Sequence, residues 1–249
     1  MHSLCVGHWQ TLRLVAWLVL YGIAQPLFSA TNSTPASPSR LEVSYDVLKG
    51  NIRAATITET YTRTQNHYRI ESVSKAVGLL ALFKPETIRV VSEGTVTAQG
   101  LHPLTFTSER KLDADRNASA DFDWAAGRIT LDDRKGKRTL PLPAGTQDRL
   151  SAMYQFMFAP LAKGGAYDFH MTNGSKVDIY NYRITPGQSV TVPLGTFKAL
   201  YVASVPEPNS SRTEIWLATE HDNFPYKMVI TDSDGDAITQ ALTSFKLTP

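Results

Sequence analysis

The sequence predicts a mainly β protein: a strongly curved antiparallel sheet, or incomplete barrel, with one amphipathic helix packed on or in it. Three observations carry that prediction. Short runs rich in Thr, Val, Ile and Tyr recur from Leu41 onward. Gly, Pro, Asn or Asp punctuate them at short intervals, which is the grammar of an antiparallel meander. Only Thr146–Ala162 has apolar residues at sustained helical spacing, namely Leu150, Met153, Tyr154, Met157, Phe158 and Leu161.

Taken in order, the chain opens with Arg13 and no acid, followed by the uncharged run "LVAWLVLYGIA", Leu14–Ala24. That is a secretory signal pattern, shorter than the ~20 apolar residues a membrane-spanning helix needs. Residues 1–24 are read as a signal peptide, with Ala30 as a second cleavage position, and no transmembrane span is expected in the mature chain. Cys5 precedes the apolar run, so it cannot be a lipid-attachment cysteine, and the mature chain holds no cysteine. Residues 25–40 form a linker, Pro/Ser-rich at "TNSTPASPSR", and 41–249 a single β-rich domain. The expected location is the periplasm.

The β grammar then runs through "LEVSYDVL", "AATITETYTR" and "HYRIESVS", with "SEG", "AQG", "DADRN" and "AAG" as breaks up to Leu140. The apolar segment "AVGLLALF", Ala76–Phe83, interrupts it and Pro85 ends that segment. After the predicted helix, capped by Thr146 or Asp148 and stopped by Pro160 and Gly164, come "AYDFHM", "SKVDIYNYRI", "QSVTVPL", "TFKALYVASV", "TEIWLAT", "PYKMVIT" and "AITQALTSFKL". Sheet closure or helix cover is expected to protect the strand edges.

A chain of 249 residues can bury a sizeable core. Its net charge of +2 gives no strong attraction to nucleic acid. The acidic "DSDGD", Asp232–Asp236, resembles the start of a calcium loop, but Gly235 stands at the fourth position and Thr243 where the loop's Glu belongs. It falls between two strand-like runs and reads as a hairpin turn. His67, His102, His170 and His221 make no helix-spaced pair, and no Gly-x-Ser-x-Gly, phosphate loop or dinucleotide fingerprint is present. The acid pairs Asp113/Asp115 and Asp121/Asp123 lie beside turn residues and read as solvated. No catalytic residue, metal or cofactor is assigned, and an enzyme is not expected.

Apolar material stands out instead. "AVGLLALF" has no polar residue to face water and reads either as a plug closing one end of the sheet or as a lid over an apolar cavity. Val77, Leu79, Leu80, Leu82 and Phe83 are the lid candidates, and Tyr154, Phe158 and Trp216 the cavity-wall candidates.

The segments "GLHPLTFTSERK", "FDWAAGRITL", "QDRLSAMYQF", "VPLGTFKAL" and "EIWLATEHDNFPYKMVITDSDGD" occur in that order. The chain resembles the domain of unknown function 3108 family of exported bacterial proteins over nearly all of Leu41–Pro249. The second and last of these segments also resemble, more loosely, units of periplasmic lipoprotein carriers. In those proteins a half-closed antiparallel sheet wraps around helices and holds acyl chains. That likeness implies a binding or carrier protein for a hydrophobic ligand such as an acyl chain or lipid. Two further readings remain: an envelope structural or assembly factor acting through a protein partner, and an envelope hydrolase, which requires His67, His170 or His221 to meet acids in the fold.

Overall fold

The computed structural model describes residues 39–206 and 209–248 and, of Leu80, the backbone alone. The expected signal peptide, 1–24, and residues 25–38 of the expected linker lie outside the described residues.

Period-2 burial builds the sheet. In β1 (Arg40–Lys49), Leu41, Val43 and Tyr45 are buried while Glu42 and Ser44 stay partly exposed. The chain turns at Gly50, whose φ of 59° suits glycine, into β2 (Ile52–Thr64). It continues antiparallel through β3 (His67–Ala76), β4 (Thr87–Thr97), β5 (Gly100–Arg110), β6 (Ala118–Asp123), β7 (Arg128–Asp133) and β8 (Gly136–Pro141). A second meander comprises β10 (Gly165–Thr172), β11 (Val177–Val192), β12 (Gly195–Ser204), β13 (Arg212–Ala218), β14 (Phe224–Thr231) and β15 (Ala237–Thr248). Pairing of β1 with β15, from Arg40↔Thr248 to Lys49↔Ile238, sews the two meanders into one 15-stranded sheet. The two-residue β9 (Gln147–Asp148) adds parallel to β10, the one parallel pairing among the described strands.

The sheet is not closed: β8 and β9 are its edges. Side chains bridge the seam instead of a hydrogen-bonded ladder. Arg138 binds Asp133 at 2.8 Å and donates to the carbonyl of Ser175 in the β10–β11 turn. A Cβ at Gly174 of that turn would lie 2.9 Å from the Ala118 side chain, so glycine permits this close approach to β6. An edge strand of only two residues presents little backbone for unwanted pairing.

Three expectations about elements need correction. The helix over Thr146–Ala162 is not formed: β9 and α2 (Ser151–Gln155) replace most of it, and a short 3-10 turn covers Leu161–Lys163. Bonds from Met157, Phe158 and Ala159 to carbonyls three residues back tighten the chain before Pro160 stops it. The segment fills the concave side of the sheet, so it needs no polar face. Tyr154 joins one apolar cluster, and Phe156 and Leu161 join another. Phe156 lies off the predicted stripe yet is fully buried.

"SEG" is not a break. Gly94 lies inside β4, at a bulge opposite Pro103, where a Cβ would come within 2.2 Å of the His102 carbonyl oxygen. Likewise "SKVDIYNYRI" and "QSVTVPL" are one strand, β11, bulged at Pro186–Gly187. By contrast "DSDGD" does join β14 to β15. Asp232 accepts from the backbone N–H of Asp234 and Asp236 at 3.0 and 2.9 Å, Gly235 takes a φ of 86°, and Asp236 pairs with Lys49 at 2.6 Å.

Candidate functional site

The inner face of the first meander is a ladder of directly opposed residues. One row is Ile57, Ser74, Ile88 and Arg110; the next is Glu59, Ser72, Val90 and Ser108; a deeper one is Tyr61, Ile70, Ser92 and Phe106. Residues opposite one another in a sheet share a face, so each row points into the same interior. From the second meander, β14 and β15 bring Met228, Ile230 and Gln240 to that interior, and β10 and β11 bring Met171, Tyr180 and Tyr182.

The deep row is filled. Tyr61, Ile70, Phe106, Tyr154 and Phe224 are all almost completely buried. The Tyr154 ring stacks on Tyr61 at 5.6 Å and meets Phe224 edge-on at 5.3 Å. The two outer rows are not filled. Their members Ile57, Ser74, Ile88, Glu59, Ser72 and Val90 line a cavity of about 380 Å³ floored by Arg149, Leu150 and Met153, within the range of about 300–1,000 Å³ usual for small-molecule sites. Its walls are mainly aliphatic, Met and Tyr side chains, with Glu59 and Arg149 as its two ionisable groups of opposite sign. A second depression, about 660 Å³ beside β5–β7, is lined by small polar side chains, by Glu109, Asp115, Asp132 and Asp133, and by Arg134, and lies open to solvent. It has the character of an ordinary hydrated surface.

Polar side chains anchor the floor. Asp148 is fully buried and accepts from Ser92 Oγ at 2.5 Å and from the N–H groups of Leu150 and Ser151, both at 2.8 Å. Gln147 donates to the Leu101 carbonyl at 3.0 Å, and the Leu101 N–H donates to Gln155 at 2.7 Å. Glu59 accepts from Ser72 Oγ at 3.0 Å and Tyr154 Oη at 3.1 Å. Burial pushes the carboxyls of Glu59 and Asp148 above their ordinary range, and these hydrogen bonds only partly offset it.

The sequence-predicted residues separate in this frame. α1 (Gly78–Phe83) joins β3 to β4, one row beyond Ser74 and Ile88, at the end where the cavity lies. Leu79, Leu82 and Phe83 are 75, 78 and 85% exposed, and Val77 is half-buried. The segment is therefore not a buried plug. Tyr154 is in the packed core beneath the cavity, and Phe158 packs against that core without lining the cavity. Trp216 alternates with the buried Ile215 and Leu217 and so lies on the other face of β13. There it meets Tyr201 at 5.1 Å and Lys227 sits 5.1 Å from its ring. His221 hydrogen-bonds Tyr226 at 2.5 Å within a nest of Phe197 and Phe245. Among the described residues, no hydrogen bond or ion pair joins His67, His170 or His221 to a carboxylate, and no cluster of three or more metal-ligating side chains occurs.

Comparisons with known proteins agree with this architecture. The model of the DUF3108 family, described as a protein of unknown function, matches residues 40–243. Among solved structures, a beta-barrel-like protein of domain of unknown function DUF1849 from Brucella abortus superposes with a TM-score of 0.52 at 12% identity, covering 85% of this chain and 99% of its own. That likeness is one of fold. No curated protein matches the chain.

Proposed function

The chain belongs to the DUF3108 family, and from its cavity we propose that it binds or carries a hydrophobic ligand, an acyl chain or lipid, in the periplasm. The observation that carries this reading is the unfilled space of about 380 Å³ on the concave face, lined by Ile57, Ile88, Val90, Met171, Met228 and Ile230. Each methylene moved from water into such a space gains roughly 0.8 kcal/mol. Methionines suit a site that accommodates flexible chains, because their unbranched side chains repack readily.

Exposed apolar side chains support the same reading. Ile52, Leu79, Leu82, Phe83 and Ile238 lie at the end of the sheet where the cavity does. Exposed apolar side chains gathered at one end of a sheet are the kind of surface that serves ligand access or protein contact. In this reading α1 gates the cavity. Equilibrium binding of a fluorescent fatty acid to the purified protein tests it. Saturable uptake at one site per chain is expected, and absence of uptake overturns it. In that event the same exposed residues become the contact surface of the envelope-assembly alternative.

A further inference from the structure

Arg149 lines the cavity, and Arg110 lies in the cross-strand row of Ile57, Ser74 and Ile88, which also line it; among the described residues no carboxylate forms an ion pair with either arginine. Arg149 lies on the cavity floor. Its guanidinium donates to Ser108 Oγ at a long 3.3 Å and sits 6.0 Å from the Phe106 ring. Arg149 remains exposed to solvent, so its guanidinium is accessible to a ligand at the cavity. A guanidinium carries five N–H donors, so the Ser108 contact leaves most of the fork without a protein acceptor. Arg110 stands directly opposite Ile88, in the same row as Ile57 and Ser74, and so faces the same interior. Its backbone N–H is bound by Asn117, and its side chain has no ion pair among the described residues.

The surroundings do not neutralise this pair. Desolvation and the repulsion of Arg110 both work against the charge of Arg149, and Asp148 offsets them only in part. The Asp148 carboxylate is itself turned into the core, onto Ser92 and the α2 backbone. Glu59, on the opposite wall, is held toward its neutral form by burial. Several other arginines of this sheet are ion-paired, Arg69 and Arg89 with Glu71, Arg138 with Asp133, and Arg212 with Glu214, whereas Arg149 is not, although it lines a cavity. An anionic group held against the apolar wall beside an unpaired guanidinium gains charge-assisted hydrogen bonds there.

We propose that the cavity takes an amphiphile with an anionic oxygen head, a carboxylate or phosphate, which pairs with the Arg149 guanidinium while its acyl chain lies along Ile57, Ile88, Met171 and Met228. The planar fork of arginine matches either head in bidentate fashion, and Arg110 adds a second positive charge nearer the sheet end. This assignment rests on the cavity reading above and narrows its ligand class.

The test compares lauric acid, lauryl phosphate and lauryl alcohol by calorimetry on the purified protein, with acetate and inorganic phosphate as chainless controls. A charge-assisted hydrogen bond predicts that one or both anionic amphiphiles bind about tenfold or more tighter than the alcohol. Which of them binds tighter identifies the head. Arg149→Met should shrink the gap between the favoured anion and the alcohol toward zero. Equal affinity of all three wild-type ligands overturns the anionic-head assignment and leaves the apolar cavity standing. Binding of the chainless anions alone overturns it as well, since it reduces the site to an ion site. If no amphiphile binds, both the assignment and the cavity reading fail. The wild-type comparison holds even if the variant does not fold.

Discussion

The hydroxyl of Tyr154 donates to the carboxylate of Glu59 at 3.1 Å, with both residues buried. This bond ties the α2 segment to β2 and marks the boundary between packed core and open cavity. Tyr154→Phe removes one donor from a buried carboxylate and should cost about 1–3 kcal/mol by urea denaturation. Tyr154→Ala also removes the ring between Tyr61 and Phe224 and should cost more, roughly 3–5 kcal/mol by analogy with other buried aromatics.

The raised carboxyls of Glu59 and Asp148 fix the sign of a pH effect. Between the unfolded pKa and the raised folded pKa, the folded chain holds more protons than the unfolded one. Stability contributed by these groups therefore falls as pH rises through that window and recovers on mild acidification. Glu59→Gln should flatten the dependence and raise the Tm relative to wild type at neutral pH. Thermal melts of both proteins across mildly acidic to neutral pH check this, and parallel curves would refute it.

Because Leu82 and Phe83 are exposed, Leu82→Asp and Phe83→Asp should leave stability within about 0.5 kcal/mol of wild type. Stopped-flow uptake of a fluorescent fatty acid should slow in these variants. Unchanged uptake rates would remove α1 from the access route.

Ser74 lies between Ile57 and Ile88 on the cavity wall. Ser74→Phe places a ring in unfilled space rather than in packed core. It should reduce ligand stoichiometry while leaving the far-ultraviolet circular dichroism unchanged.

Gly94→Ala should destabilise the sheet far beyond the ordinary cost of the substitution. The new methyl would meet the His102 carbonyl and the Pro103 Cα, which are backbone atoms that cannot rotate away. Urea midpoints of wild type and variant measure it directly.

The strands were legible because one face of each is buried and the other is not, so β1 shows its alternation plainly. The α2 segment was misread for the complementary reason. An element enclosed by a sheet carries apolar residues on every side, and helical spacing then has no polar face to be measured against. Gly94 misled because a bulge and a turn use the same residue, and only cross-strand register separates them. The lid candidates fell at the cavity end of the sheet, whereas the cavity wall was missed. Glu59 left a signal, since Ile57, Glu59 and Tyr61 alternate onto one face and place a carboxylate among apolar neighbours. Arg149 left none: its place depends on the break of the predicted helix at β9 and on the seam of the sheet. Trp216 drew attention by size alone, and strand parity puts it on the face away from the interior.

The most direct test of the central claim is native mass spectrometry of the protein purified from the cells that express it, with lipid analysis of the same sample. The account predicts a stoichiometric mass excess of acyl-chain size that an organic extract removes and identifies. A bare protein mass that stays bare after incubation with fatty acid or phospholipid would contradict it.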